Sequence, residues 1–213
     1  MKIKSQILAF TAISALAAGS SQAALLISGI VDGTQTGGIP KGLEIYTDST
    51  VADLSAFWIA RDTNGAGPWD TFFQLPSVSL SADSYYYIAG NTDSETILNG
   101  FGFSVGVVNS ILNINGDDII GLATSGNAVD VYDSIGVVAQ GDTNFYENSF
   151  AIRDNASVTG NIAATDGSNF TITAYTDAGL QGSTGFGTYA PVPEPSTALL
   201  GALGVLALLR RRR

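Results

Sequence analysis

The chain is expected to fold as an all-β domain, a sandwich or a barrel, and three observations lead there. Between Ala24 and Tyr189, short runs of β-branched and aromatic residues are broken every few positions by Gly, Asn, Asp and Ser. No stretch holds a convincing helical period, apart from a possible turn at Asp93 to Leu98. Many short strands at this spacing close into two sheets or a barrel more readily than into a single open sheet.

In chain order the expected strands are Leu25 to Val31, Leu43 to Thr47, Phe57 to Arg61, Phe72 to Leu75, Tyr85 to Ala89, Ile111 to Ile114, Ile119 to Ala123, Val129 to Val138, Phe150 to Arg153 and Phe170 to Tyr175. Alternation assigns faces in places. In Leu43-Glu44-Ile45 the two aliphatic side chains are expected in the core and Glu44 in water, and Leu112 and Ile114 bracket Asn113 in the same way. Asn115-Gly116-Asp117-Asp118 supplies turn chemistry, so Ile111 to Ala123 reads as a β-hairpin. The segment Phe101 to Val108 is apolar and laced with Gly, which blurs its strand boundaries.

Composition narrows the chemistry. Cys and His are both absent, which removes disulfides, thiolate nucleophiles, the usual zinc sites and any Ser-His or Cys-His relay. Between Ala24 and Val192 the cations are Lys41, Arg61 and Arg153 against eighteen acids, a formal charge of −15. Such a surface repels phosphate backbones, so nucleic acid is not an expected partner.

The two ends have a different texture. Lys2 and Lys4 precede the apolar run Ile7 to Ala18, and Ser21-Gln22-Ala23 offers small residues at a cleavage site. This pattern is a signal peptide, residues 1–23, removed by signal peptidase after Ala23. At the other end, residues 190–213, Val192-Pro193-Glu194-Pro195-Ser196 leads into the apolar Thr197 to Leu209 and then Arg210 to Arg213. An apolar segment capped by arginines halts transfer and leaves the charges in the cytoplasm. It is shorter than the roughly 20 residues that span a bilayer, which suits transient residence in the inner membrane before processing.

These carboxy-terminal residues resemble the PEP-CTERM sorting signal, in which Pro-Glu-Pro precedes a membrane segment and an arginine-rich end. The resemblance implies recognition by a membrane protease of the exosortase class, cleavage near Val192 to Ser196, and delivery to the outer surface or the extracellular matrix. The body of the chain, residues 24–189, is similar to a lamin-tail-like domain, an immunoglobulin-type β-sandwich. The matching pieces are Leu26-Ile-Ser28, Lys41 to Tyr46, Asp53 to Ile59, Leu80 to Ile88, Leu112 to Asp118, Val131 to Gly136 and Ser149 to Arg153. That resemblance implies an accessory module of cell-surface proteins, here without any enzymatic partner domain. The expected architecture is thus an immunoglobulin-like sandwich flanked by a signal helix and a short membrane helix.

Few residues present themselves as a site. Asp117 and Asp118 could offer oxygen ligands to Ca²⁺, although a hairpin turn explains the same residues. Asp62-Thr-Asn64-Gly65 copies the start of a calcium loop, yet Ala66 and Phe73 stand where further ligands belong. Trp58, Trp69, Phe72, Phe73 and Tyr85 to Tyr87 could form a stacking surface for sugars, such as an extracellular polysaccharide, or for peptides, although aromatics on strands more often pack in the core; Trp69, after Gly67-Pro68, is the best exposed candidate. Asn155 and Asn169 head glycosylation-type sequons. Fifteen aspartates offer many carboxylate pairs for glycosidase chemistry, but nothing selects two of them, so no catalytic residue is expected. The expectation is a non-catalytic surface or matrix protein, with a calcium- or polysaccharide-binding module and an acid-pair hydrolase as rivals.

Overall fold

A computed structural model describes residues 25–65, 67–136, 145–156 and 169–191. It is mostly β, with two sheets and few helices. The strands are β1 (Leu25–Gln35), β2 (Ile39–Thr47), β3 (Trp58–Asp62), β4 (Thr71–Gln74), β5 (Ser84–Ala89), β6 (Val105–Val108), β7 (Ile119–Ala123), β8 (Val131–Ile135), β9 (Ser149–Arg153) and β10 (Phe170–Ala174). Two helices join them, α1 (Thr92–Gly100) and α2 (Asp177–Leu180). The large sheet runs β10-β9-β1-β2-β5-β6 and the small sheet β4-β3-β7-β8. Their inner faces share one core, with Leu25, Ile27, Leu43 and Ile45 from the large sheet meeting Ile59, Ile120, Leu122 and Ile135 from the small one.

The alternation is respected where it matters most. Leu43, Ile45, Leu112 and Ile114 are all fully buried in that one core, as their spacing predicts. In β1 the inward set shifts phase: Leu25 and Ile27 point in, and so does Ile30, three positions on. A bulge between Ile27 and Gly29 absorbs the extra residue.

Every expected strand is present except Ile111 to Ile114, and with it falls the hairpin Ile111 to Ala123. Asn109 accepts from the Ile111 amide at 2.9 Å and starts a 3-10 turn at Ser110–Leu112. From there Ile111, Leu112 and Ile114 plug the gap between the sheets. Their carbonyls are served by side chains instead of a ladder: Arg61 Nη1 donates to Ile111 O at 3.2 Å, and Lys41 Nζ donates to Ile114 O. The strand expected at Val129 begins two residues later, because Ala128–Asp130 is a 3-10 turn that leaves Val129 83 % exposed; its far end, Val137 and Val138, lies outside the described residues.

Within Phe101 to Val108 the last four residues form a strand, β6, paired parallel to β5. A parallel neighbour needs a crossover, which α1 supplies. Asn91 caps α1 by accepting from the Ser94 amide at 2.8 Å, and Asp93 and Glu95 in its first turn complement the helix dipole. The helix lies on the outer face of the large sheet, where Leu98 joins Val31, Ala89 and Ile152. This face is therefore covered, and β1 is buried on both sides over nine successive residues.

One buried ion pair ties the sheets together. Asp133 of β8 and Arg153 of β9 are both buried, with Arg153 Nη2 at 2.6 and 2.7 Å from the two carboxylate oxygens. Asp133 Oδ2 also accepts from the Ile27 amide at 2.8 Å, and Arg153 Nε donates to the Ile27 carbonyl at 2.6 Å. The β1–β9 ladder ends at Gly29 and Ile152, so the two side chains continue it to Ile27. Arg153 also lies 4.7 Å from the Phe170 ring centroid.

Removing one partner strands a buried charge, so Asp133→Ala should cost about 3–5 kcal/mol in urea unfolding of the 24–191 domain. Leu112→Ala should cost about 2–5 kcal/mol by opening a cavity between the sheets. A loss below about 1 kcal/mol in either variant would contradict the role assigned to that residue.

Candidate functional site at the exit of the carboxy-terminal segment

The outer face of the large sheet receives the last described stretch of chain. After β10, Thr176 caps α2 by accepting from the Gly179 amide at 2.9 Å. Residues 181–190 then run back over β1, β2 and β5. Leu180 and Phe186 are buried with Val31, Phe150 and Ile152. Tyr189 is fully buried against Leu26 and Tyr46, its ring 5.1 Å from that of Tyr46 and nearly perpendicular to it.

Polar contacts hold the backbone of this clasp. Gly187 adopts φ +76°, a left-handed conformation natural to glycine, and its amide donates to Glu44 Oε2. The Tyr85 hydroxyl donates to the Tyr189 carbonyl at 2.6 Å, and the Ala190 amide donates to Asn155 Oδ1 at 2.9 Å.

Glu44 corrects the reading of its strand. It does point away from the inner core, as the alternation requires, but that face is roofed by the clasp, so Glu44 is fully buried rather than solvated. Ser28 Oγ donates to its Oε1 at 2.7 Å, and Tyr87 bonds it as well. Burial pushes its carboxyl up from 4.5 to about 7, against the pull of Ser28, Gly187 and Tyr87. The neighbouring hydroxyl of Tyr85 is raised to about 12, by burial and then by Glu44; that of Tyr87 is raised further by the same causes.

The sequence-selected residues separate into groups. Asp118 is buried, with Oδ1 accepting from the Asn64 amide at 3.0 Å and Oδ2 from the Asn115 amide at 3.3 Å. The Asn115 side-chain amide donates to Asp118 Oδ2 at 2.9 Å and Asp117 Oδ1 at 2.7 Å. Asp62 accepts from Gly67 N at 2.9 and 2.8 Å. The two partial calcium patterns thus meet at one end of the sandwich, where their carboxylates bind backbone amides. Among the described residues no group of three or more acidic side chains is placed to hold a metal ion.

The aromatic residues divide by face. Tyr86 points into the core and Phe73 packs against it, while Trp58, Trp69 and Phe72 gather on the outer face of the small sheet. Trp69 is half-buried, not a free loop residue. It lies across Gly121, where a Cβ would sit 2.8 Å from its ring. Glu44, Tyr85, Asn155 and Tyr189 were not selected from sequence as a group, because they are distant along the chain and meet only when the clasp closes. A Pro-rich exit directly after an aromatic residue, Tyr189-Ala-Pro191, was the one local signal.

The folded-state carboxyl of Glu44 is raised, so between about 4.5 and about 7 the folded chain binds a proton that the unfolded chain releases. Its contribution is full below 4.5 and declines as pH rises through about 7. Asp32 and Asp118, both raised by burial, act in the same direction from a lower start. Urea midpoints of the 24–191 domain should therefore fall between pH 5 and 8, and Glu44→Gln should flatten much of that slope. An unchanged slope in the variant would exclude Glu44 as its source.

Residues 191–213 match the PEP-CTERM protein-sorting motif. No curated protein and no solved structure matches the chain. Ala23, the expected signal cleavage site, and the motif residues Val192, Pro193, Glu194 and Pro195 lie outside the described residues, among which no helix is long and apolar enough to cross a membrane. The matched motif starts at Pro191, one residue after the last contact of the clasp. It marks the chain as a substrate for exosortase-dependent export to the cell surface.

Proposed function

We propose that this chain is an exported, non-catalytic protein of the outer surface or extracellular matrix, whose β-sandwich is a structural or adhesive module of lamin-tail-like, immunoglobulin type. The observation that carries the reading is the sorting motif at residues 191–213, which directs the domain out of the cell. Entry through a signal peptide cleaved after Ala23 and transient anchoring by Thr197 to Leu209 complete the route. The serial order of the strand segments supports the lamin-tail-like assignment; the parallel β5–β6 pair, joined by α1, departs from a purely antiparallel sandwich.

Polysaccharide is the favoured adhesive target over a dedicated calcium site. Trp58, Trp69 and Phe72 are half-exposed side by side on the outer face of the small sheet, and indole faces suit the apolar faces of sugar rings. Asp117 and Asp118, by contrast, already accept from the Asn115 side chain, and Asp118 also from the Asn64 and Asn115 backbone amides.

Changing Pro193-Glu194-Pro195 to three alanines should leave membrane partition intact and block processing in an exosortase-bearing host. Intact-mass analysis reads the outcome: chains still ending at Arg213 in the wild type, in the triple-alanine variant and in a chain whose motif is set away from the domain by a flexible spacer would together refute the sorting route. The purified 24–191 domain should lack turnover on phosphodiesters, peptides and glycosides; activity abolished by a single Asp→Asn change would overturn the non-catalytic reading. Trp58→Ala with Trp69→Ala should weaken retention on matrix polysaccharide by about tenfold, and equal retention would remove the aromatic face from the account.

A further inference from the structure

The clasp and the sorting motif are contiguous, and that adjacency constrains how the motif can be cut. Pro193 follows Ala190 by three residues, a reach of about 10 Å even when fully extended. Pro191, Pro193 and Pro195 each fix φ and bias the residue before them toward extended backbone, so the sequence of this tether is a stiff one. Immediately upstream, the backbone is engaged: the Gly187 amide is on Glu44, the Tyr189 carbonyl on Tyr85 and the Ala190 amide on Asn155. Tyr189 itself is fully buried.

A protease that grips extended chain on both sides of its scissile bond meets a folded edge on the amino-terminal side of this motif. We propose that the clasp of Gly187, Tyr189 and Ala190 on Glu44, Tyr85 and Asn155 gates processing of the adjoining sorting motif, so that these domain residues position, and restrain, the substrate of the sorting reaction. This rests on the sorting reading above and adds its control. The reaction breaks one backbone amide; water gives its hydroxyl to the acyl carbon and its proton to the departing amine. None of the clasp residues takes part in that step. They set how often residues 187–190 are free to enter the protease, and cleavage then follows the population of the locally opened state.

The geometry makes the clasp separable from the core. Tyr85 projects from the outer face of β5 with its ring packed against Leu26, Tyr46 and Tyr189, and Tyr85→Phe takes away the hydroxyl while keeping that ring. Loss of a single hydrogen bond should raise the open population by about twofold to tenfold.

The test follows conversion of precursor to mature chain by pulse-labelling and intact mass in an exosortase-bearing host, using the full-length protein. Four chains are compared: wild type, Tyr85→Phe, wild type with a ten-residue Gly-Ser spacer between Ala190 and Pro191, and the spacer combined with Tyr85→Phe. The gate predicts that Tyr85→Phe is processed about twofold to tenfold faster than wild type, that the spacer chain is faster still, and that Tyr85→Phe adds nothing once the spacer is present. A general loss of domain stability would persist in the spacer background, so that last comparison separates a local gate from a weakened fold. Wild type uncut while the spacer chain is cut is the gate in its extreme form. Wild type, Tyr85→Phe and spacer chains cut at one rate overturn the gate and leave sorting intact; no chain cut in any form overturns sorting and the gate together.

Discussion

The buried pair Asp133–Arg153 is the constraint on which the two-sheet arrangement depends. It joins a short edge strand, β8, to β9, the neighbour of the large sheet's outer edge, across a core whose apolar contacts are strong but indifferent to register. The pair adds direction. By binding both the amide and the carbonyl of Ile27, it takes over where the β1–β9 ladder stops and fixes the height of one sheet against the other. Such an arrangement contributes little net stability relative to a well-packed apolar substitute, but an unpaired member would be costly. The bulge at Ser28, one residue on, lets β1 serve both that junction and the outer layer.

The outer layer makes the large sheet the organising surface of the molecule. Helix α1 covers one part of it and the clasp covers another, so β1 and β2 beneath are buried on both faces, and Glu44 is a carboxyl enclosed under the clasp. A carboxyl in that position is tolerated because three donors converge on it and because burial favours its protonated form. The same roof brings the end of the domain to the start of the sorting motif, linking the packing of the sheet to the fate of the chain.

Charge follows a related logic. The three cations of the domain all turn inward: Lys41 pairs with Asp32 at 2.7 Å, Arg153 with Asp133, and Arg61 bonds the Ile111 carbonyl. Acidic groups are left to dominate the exterior, which favours solubility and opposes contact with anionic polymers except through uncharged or aromatic surfaces. The face bearing Trp58, Trp69 and Phe72 has that character.

Strand identity was legible along most of the chain because its cause is local: β-branched and aromatic runs at period two, broken by turn residues. Leu43, Ile45, Leu112 and Ile114 could be assigned to one core on that basis, and so could the sorting motif, whose chemistry is a linear string of Pro, apolar and Arg residues read in an extended state. What local pattern could not carry was anything set by a second layer. Ile111 to Ile114 has the composition of a strand but serves as a plug, because Asn109, Lys41 and Arg61 offer its backbone other partners. Phe101 to Val108 hides a parallel strand, since such pairing is decided by a crossover and not by the strand itself. Glu44 alternates like a solvated residue and is buried by a segment more than a hundred positions away. The sequence by itself determined the β class, the inward residues and the export signal; the tertiary structure alone decided which outer face is covered, where Asp133 meets Arg153, and how the clasp abuts the motif, because each of these depends on contacts between residues that no local periodicity relates.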